Sequence, residues 1–336
     1  MREGICVAGC LLVDKLFPIA GYPKEGTLGT VLDRGSMSTG GLLCNVIVDL
    51  AKLDPGLPLQ AVGRIGEDED GNFITQELGK YENVDLSLLK REGATSCTYV
   101  MSSLDTKKRT FFHFKGANGQ FCEADIPLEQ IQGSIFHIGY LLILDALDEE
   151  DEEYGTKMAR LLCQVQRRGI ETSIDVATEK GERYQKVIPP ALKYTDYCVI
   201  NELEAQEITG IPLRDEEDRL LLTHMEAALG ALMDLGVSKW AVIHAPEGGY
   251  GMDRERNYVK VPSLVLPKEA IKGTVGAGDA FCSGVLLGAY RKQSLKEAID
   301  LGICTAACSL TQEDSCKGVR PAQEALLMRE QYGRKD

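Results

Sequence analysis

Gly276, Gly278 and Asp279 stand together in the run Lys272-Gly273-Thr274-Val275-Gly276-Ala277-Gly278-Asp279-Ala280-Phe281, just ahead of an apolar helical pattern. Glycines before a helix leave several backbone N–H groups free to converge. Those groups and the positive end of the helix dipole make an anion site. Phosphoryl transfer needs a holder for the moving charge and an acceptor for the proton of the attacking hydroxyl. The amides of Gly276, Ala277 and Gly278 suit the first role and Asp279 the second. An aspartate in a first helical turn also simply complements the dipole. No Gly-Lys-Ser/Thr follows, so the run is not a Walker A loop. Locally the two readings stand side by side.

The elements that must position these residues are those of an α/β protein. Short β-branched runs near 5–9, 60–62, 134–138, 171–175, 197–200 and 240–244 alternate with helical patterns at 40–53, 73–78, 152–168, 202–209 and 220–235. This alternation predicts a mostly parallel sheet covered on both faces. Two stretches break it. Residues 12–35 are rich in Gly and Pro, with short extended pieces such as 29–32, and 95–118 reads as a hairpin with a polar turn at 103–108. Together they predict a small β-sheet lid on a single domain spanning 1–336, with the lid covering a ligand or packing on a second subunit. The acidic run 148–153 is expected to open a helix, where negative charge is favoured.

Composition narrows the partners. The chain has 336 residues, 44% hydrophobic and 26% charged, enough for a sizeable core. A net charge of −14, from 51 acidic and 37 basic residues, argues against nucleic acid. Eleven cysteines lack metal spacing and sit among apolar neighbours, as expected of free thiols in a reducing compartment. Neither an export signal nor a membrane span is read, so a cytoplasmic location is expected.

Four motifs in order make the chain similar to the ribokinase (PfkB) family of carbohydrate kinases, over about residues 9 to 318. They are the run Thr274 to Phe281; Gly40-Gly41 with Asn45, then Gly63 and Gly66-Glu67-Asp68; Asn201-Glu202-Leu203-Glu204; and Gly9 with Asp14. The resemblance implies a three-layer α/β/α ribokinase-like domain with a β-lid. It also implies ATP-dependent phosphorylation of an alcohol on a sugar or nucleoside. Carried over, Asp279 is the base and Gly276, Ala277 and Gly278 stabilise the transferring charge. Asp14, Gly40, Gly41 and Asn45 hold acceptor hydroxyls, with Arg109, His113 and Asn118 in the lid segment. Asn201, Glu204, His244, Gly249 and Ala306 serve the nucleotide, and Glu204 orients Mg²⁺ through water. A homodimer through the lid is expected. Asn201 equally suits a plain N-cap, and His113 a packed lid residue. The lid phenylalanines are expected to pack the lid sheet on itself.

Departures from the family pattern matter as well. Gly273 stands where an aspartate associated with the monovalent-cation site is usual, which leaves potassium dependence open. His244 and Pro246 replace a threonine and a glycine of the nucleotide loop, and proline removes an N–H. Leu42 replaces the lysine of ribokinases proper. Lys15, Arg34, Arg109 and Lys115 are the nearby cations able to meet a substrate carboxylate. A free sugar or sugar acid is the leading acceptor, fructokinase-like or 2-keto-3-deoxygluconate-kinase-like; a nucleoside is the alternative. A silent sugar or nucleotide sensor is the remaining reading, and it would not need the base.

Overall fold

The computed structural model describes residues 2–178 and 183–335. Its main sheet orders the strands Tyr258–Pro262, Gly248–Asp253, Trp240–Ala245, Tyr197–Asn201, Glu171–Val176, Ile135–Leu141, Ile5–Gly9, Leu59–Ile65 and Val84–Asp85. Leu89–Arg91 also pairs with Leu59–Ile65. Every pairing from Trp240–Ala245 through Val84–Asp85 is parallel, and the two strands beyond Trp240–Ala245 are antiparallel.

Strand residues alternate between two apolar layers. Ile5, Val7, Val199 and Val242 pack with the helices Leu42–Leu53, Ala277–Tyr290 and Leu295–Ser309. Cys6, Ala8, Cys198, Ile200, Ala241 and Ile243 face the other way. They meet Leu161 and Leu162 of Lys157–Gln166, Ile188 of Tyr184–Leu192 and Leu229 of Leu222–Asp234. The result is a three-layer α/β/α fold. From Ile5–Gly9 the chain crosses to Leu59–Ile65 on one side. From Ile135–Leu141 it proceeds to Glu171–Val176 on the other. That reversal opens a crevice at the C-terminal ends of the strands.

A second sheet of four strands, Ser36–Gly40, Leu12–Ile19, Cys97–Ser103 and Arg109–Phe114, forms the lid. Two expectations here need correction. Val31 makes only an isolated bridge to Ile19, and the second lid strand is Ser36–Gly40, beyond the expected boundary at 35. The acidic run does not open a helix. Glu150–Asp151 and Gly155–Thr156 form a small hairpin, and the helix starts at Lys157, where the Thr156 side chain accepts from the Ala159 amide. A hydroxyl cap satisfies an orphan amide directly, which the dipole preference for acids cannot do. All eleven cysteines are free. Among the described residues no helix is long and apolar enough to cross a membrane.

Candidate active site

Two cavities meet at the crevice. One, of about 580 Å³, lies between the lid and the strand ends; its walls include Leu12, Phe111 and His113 of the lid and Tyr140, Asp175 and Asp279 below. The other, of about 550 Å³, is mainly apolar, with Leu264, Leu266, Phe281, Ile303, Ala306 and Leu310 in its walls. Asn201, His244 and Gly278 border both.

Asp279 occupies the first turn of Ala277–Tyr290, behind Gly276 at φ 79°. A side chain would strain that left-handed turn, and a Cβ there would lie 2.3 Å from Ser315 Cβ. Asp279 is 5% exposed. Asn45 Nδ2 donates to its Oδ2 at 2.7 Å, and the Tyr140 hydroxyl lies 2.8 and 2.9 Å from its two oxygens. Burial pushes its carboxyl up to about 6, against the hydrogen bonds from Asn45 and Tyr140 that hold it down. Such a group is ionised at neutral pH yet still basic enough to take a hydroxyl proton. Tyr140→Phe removes one of the two restraining partners. We expect its acid limb of kcat/KM to move to higher pH, with the rate at pH 6 lower by roughly fivefold. A pH–rate profile of the variant against wild type reads this directly.

Leu12, Thr98, Phe111 and His113 of the lid line one side of the first cavity. Asp14 shares a strand face with the cavity-lining Leu12. Burial pushes its carboxyl up to about 6, with a hydrogen bond from Thr98 opposing. Gly40 leaves room for it, since a Cβ there would come 2.3 Å from Asp14 Oδ2. Gly41 caps the helix Leu42–Leu53 that carries Asn45. His113 lines the cavity with its Nδ1 3.1 Å from Thr98 Oγ1.

On the other side, Asn201 and Glu204 form a reciprocal capping box at the start of Glu202–Thr209. Capping does not exhaust Glu204, which also accepts from Thr178 at 2.6 Å and borders the cavity. Burial pushes it up to about 7, and burial with the nearby Glu204 charge raises Asp175 as well. His244 sits in the joint wall, its ring 5.0 Å from that of Phe281. Burial lowers it to about 4, so the ring is neutral at physiological pH.

Several sequence-derived site residues fall elsewhere. Asn118 is 1% exposed and clamps backbone: its Oδ1 accepts from Leu11 N at 3.1 Å and its Nδ2 donates to Leu11 O at 2.8 Å. Asn45 lies outside the walls of both cavities, with its amide bonded to Asp279 and Ser315. Arg109 shares a strand face with Phe111 and His113 but lies at the far end, outside the cavity wall. Gly249 is a packing glycine, where a Cβ would meet Ile299 at 2.5 Å; Gly248 borders the apolar cavity instead. The phenylalanines do not pack the lid on itself: Phe121 is core, Phe111 is 61% exposed in the cavity wall, and Phe112 and Phe114 are exposed on the opposite strand face. Lys15 and Lys115 are held by Asp70 and Asp145.

Sequence reading missed Tyr140, Asp175 and Thr178. Tyr140 and Asp175 lie near the C-terminal ends of adjacent parallel strands, beside Asn201 and His244 on the next two. A polar residue at the end of each apolar strand run was the available signal.

Comparison with known proteins follows the same lines. The family model described as pfkB family carbohydrate kinase matches residues 12–322. The chain is 26% identical to 2-dehydro-3-deoxygluconokinase of Escherichia coli K12, over 80% of this chain and 86% of that one. It is 22% identical to ribokinase of Haemophilus influenzae, covering 97% and 98%. The fold superposes on Arabidopsis thaliana ribokinase solved with ribose and ATP at a TM-score of 0.80, with 21% identity and coverage of 98% and 99%.

Proposed function

Because the chain belongs to the pfkB family of carbohydrate kinases, we propose that it transfers the γ-phosphoryl group of ATP to a hydroxyl of a free, unphosphorylated sugar or sugar acid. The observation that carries this reading is the placement of Asp279. A buried carboxylate, held by Asn45 and Tyr140, stands at the N-terminus of a glycine-led helix where two cavities meet. The acceptor fits the lid cavity; we assign Asp14, which shares a strand face with the cavity-lining Leu12, to accept from its hydroxyls, and Asp279 to take the proton of the attacking one. We assign the amides of Gly276 and Gly278 to the transferring group, with that of Ala277 joining them on release from Thr274 O, to which it donates at 3.4 Å; the neutral His244 ring borders the same space. Ala306, Ile303 and Leu310 suit an adenine.

Among the described residues no cluster of three or more metal-ligating side chains forms a cage. Two buried carboxylates, Asp175 and Glu204, the second of which raises the first, fit a hydrated Mg²⁺ carried with the nucleotide, with Glu204 and Asn201 reaching it through water. Such an ion neutralises phosphate charge when bound.

No Lys or Arg is found among the described residues lining the lid cavity, whereas Asp175, Glu204 and Asp279 are. A phosphorylated acceptor is therefore disfavoured, and a neutral sugar is favoured over a sugar acid. Phe111, open to the same cavity, supports a nucleoside as the second reading through base stacking. A 139-residue stretch 26% identical to adenosine kinase 2 of Arabidopsis thaliana accords with it. ADP release measured across hexoses, pentoses, keto-deoxy sugar acids and nucleosides tests both. We expect turnover on a neutral sugar; turnover on adenosine alone selects the second reading, and none on any acceptor overturns the first.

We propose also that Tyr99, Phe112 and Phe114, exposed on the lid, meet a second copy of the chain. Light scattering is expected to give a dimer mass that Phe112→Glu reduces to a monomer; a monomeric wild type would refute the contact.

A further inference from the structure

We infer that Ser315 is a positioning residue for Asp279, acting through Asn45. The inference rests on the kinase reading of Asp279 given above. The Ser315 hydroxyl donates to Asn45 Oδ1 at 2.9 Å. An amide presents an acceptor on one side and donors on the other. With Oδ1 engaged by the serine, Nδ2 is turned toward Asp279 and donates to its Oδ2 at 2.7 Å. Rotated by half a turn, the same amide would set its oxygen against the carboxylate, acceptor against acceptor. The acceptor-only carboxylate thus fixes which end of the amide it meets, and Ser315 anchors the opposite end, holding the amide against the base.

The serine is itself well fixed. Its carbonyl accepts from the buried Ser309 hydroxyl at 2.8 Å. The Cys316 carbonyl accepts from Lys52 Nζ at 2.7 Å, and Cys316 Sγ approaches Asn45 O at 3.5 Å. Asp314 Oδ1 accepts from the amides of Cys316 and Lys317. The Lys52 and Asn45 contacts tie the segment to the helix Leu42–Leu53, the Ser309 bond ties it to Leu295–Ser309, and the Asp314 bonds brace it internally. Ser315 also packs directly on the turn that opens the anion site, as its Cβ shows by crowding the position of a Cβ on Gly276. One side chain thus touches the glycine turn and orients the amide on the base. It is absent from the walls of both cavities, so acceptor and nucleotide are held by other groups.

Positioning without substrate contact predicts a loss in kcat and not in KM. Ser315→Ala keeps the Cβ that packs on Gly276 and removes only the hydroxyl. On an acceptor that wild type turns over, it is expected to lower kcat roughly tenfold with KM within about twofold. In an Asn45→Ala background the serine has no amide to orient, so Ser315→Ala is expected to add nothing further, a non-additivity that a merely structural role would not show. A second measurement needs no acceptor. With asparagine selectively ¹⁵N-labelled, the Asn45 side-chain amide protons, assigned through Asn45→Asp, are expected to shift and to exchange faster in Ser315→Ala. That signal decides the serine–amide contact even if the kinase reading fails. An unchanged amide signal, or wild-type kcat in Ser315→Ala, overturns the inference.

Discussion

Asp279→Asn is expected to lower kcat by roughly 10³-fold while leaving acceptor affinity within a few-fold. The amide keeps the size of the carboxylate but cannot take the hydroxyl proton. The same change is expected to raise stability. Asp279 has its carboxyl pushed from 3.8 to about 6 by burial, so the fold favours its protonated form. Its contribution to stability is thus fully present below pH 3.8 and is lost as pH rises through about 6. At pH 7 the ionised side chain costs roughly 3 kcal/mol relative to its neutral form. An asparagine escapes that cost but sets its own N–H₂ against the donors Asn45 and Tyr140. The net gain is therefore expected to be small, about 2 °C in Tm at pH 7, shrinking toward pH 4. Steady-state rates and thermal melts at the two pH values check both parts. An Asn variant with wild-type turnover would remove Asp279 from the chemistry.

Gly276→Ala is expected to be nearly as damaging, for a different reason. The new Cβ would occupy a left-handed turn and approach Ser315 Cβ to 2.3 Å, so the turn must move. The amides it displaces are those proposed to meet the transferring group, and losing one such donor costs about 10²- to 10³-fold in kcat. Tm is also expected to fall by a few degrees. Gly278→Ala makes the informative contrast. Its Cβ would meet His244 Cε1 at 3.2 Å, a ring able to shift slightly. We expect it to be the milder variant in rate and melting temperature. The reverse order would show that the turn at Gly276 is not what aligns the anion site.

Much of the fold was legible because its strands are short apolar runs and its helices are capped. Glu202–Thr209 is found at its predicted limits, since Asn201 and Glu204 form a capping box and Gly210 ends the helix in a left-handed turn. Ser36–Gly40 was not legible: its side chains are small and polar, and the strand lies at the exposed edge of the lid, where no apolar alternation is needed. The start of Lys157–Gln166 was misplaced because an acidic run suits a helix start and an exposed hairpin equally well. At the site, residues adjacent in sequence were legible together, as with Gly276 to Asp279. Tyr140 and Ser315 were not, since each is joined to the base only through tertiary folding: Tyr140 lies 139 residues from Asp279, and Ser315 bonds to Asn45, 270 residues from the serine. Asn118 misled for a related reason. A buried asparagine that clamps two backbone groups has the same local signature as one that binds a ligand.

The lid and the main sheet divide the labour between separate stretches of chain. Leu12, Asp14, Phe111 and His113 belong to lid strands, while Asp279, the glycine turn, Glu204 and His244 are borne by the sheet and its helices. Descent can therefore act on the two separately: substitutions inherited in the lid strands reshape one wall of the cavity without touching the glycine turn or Asp279.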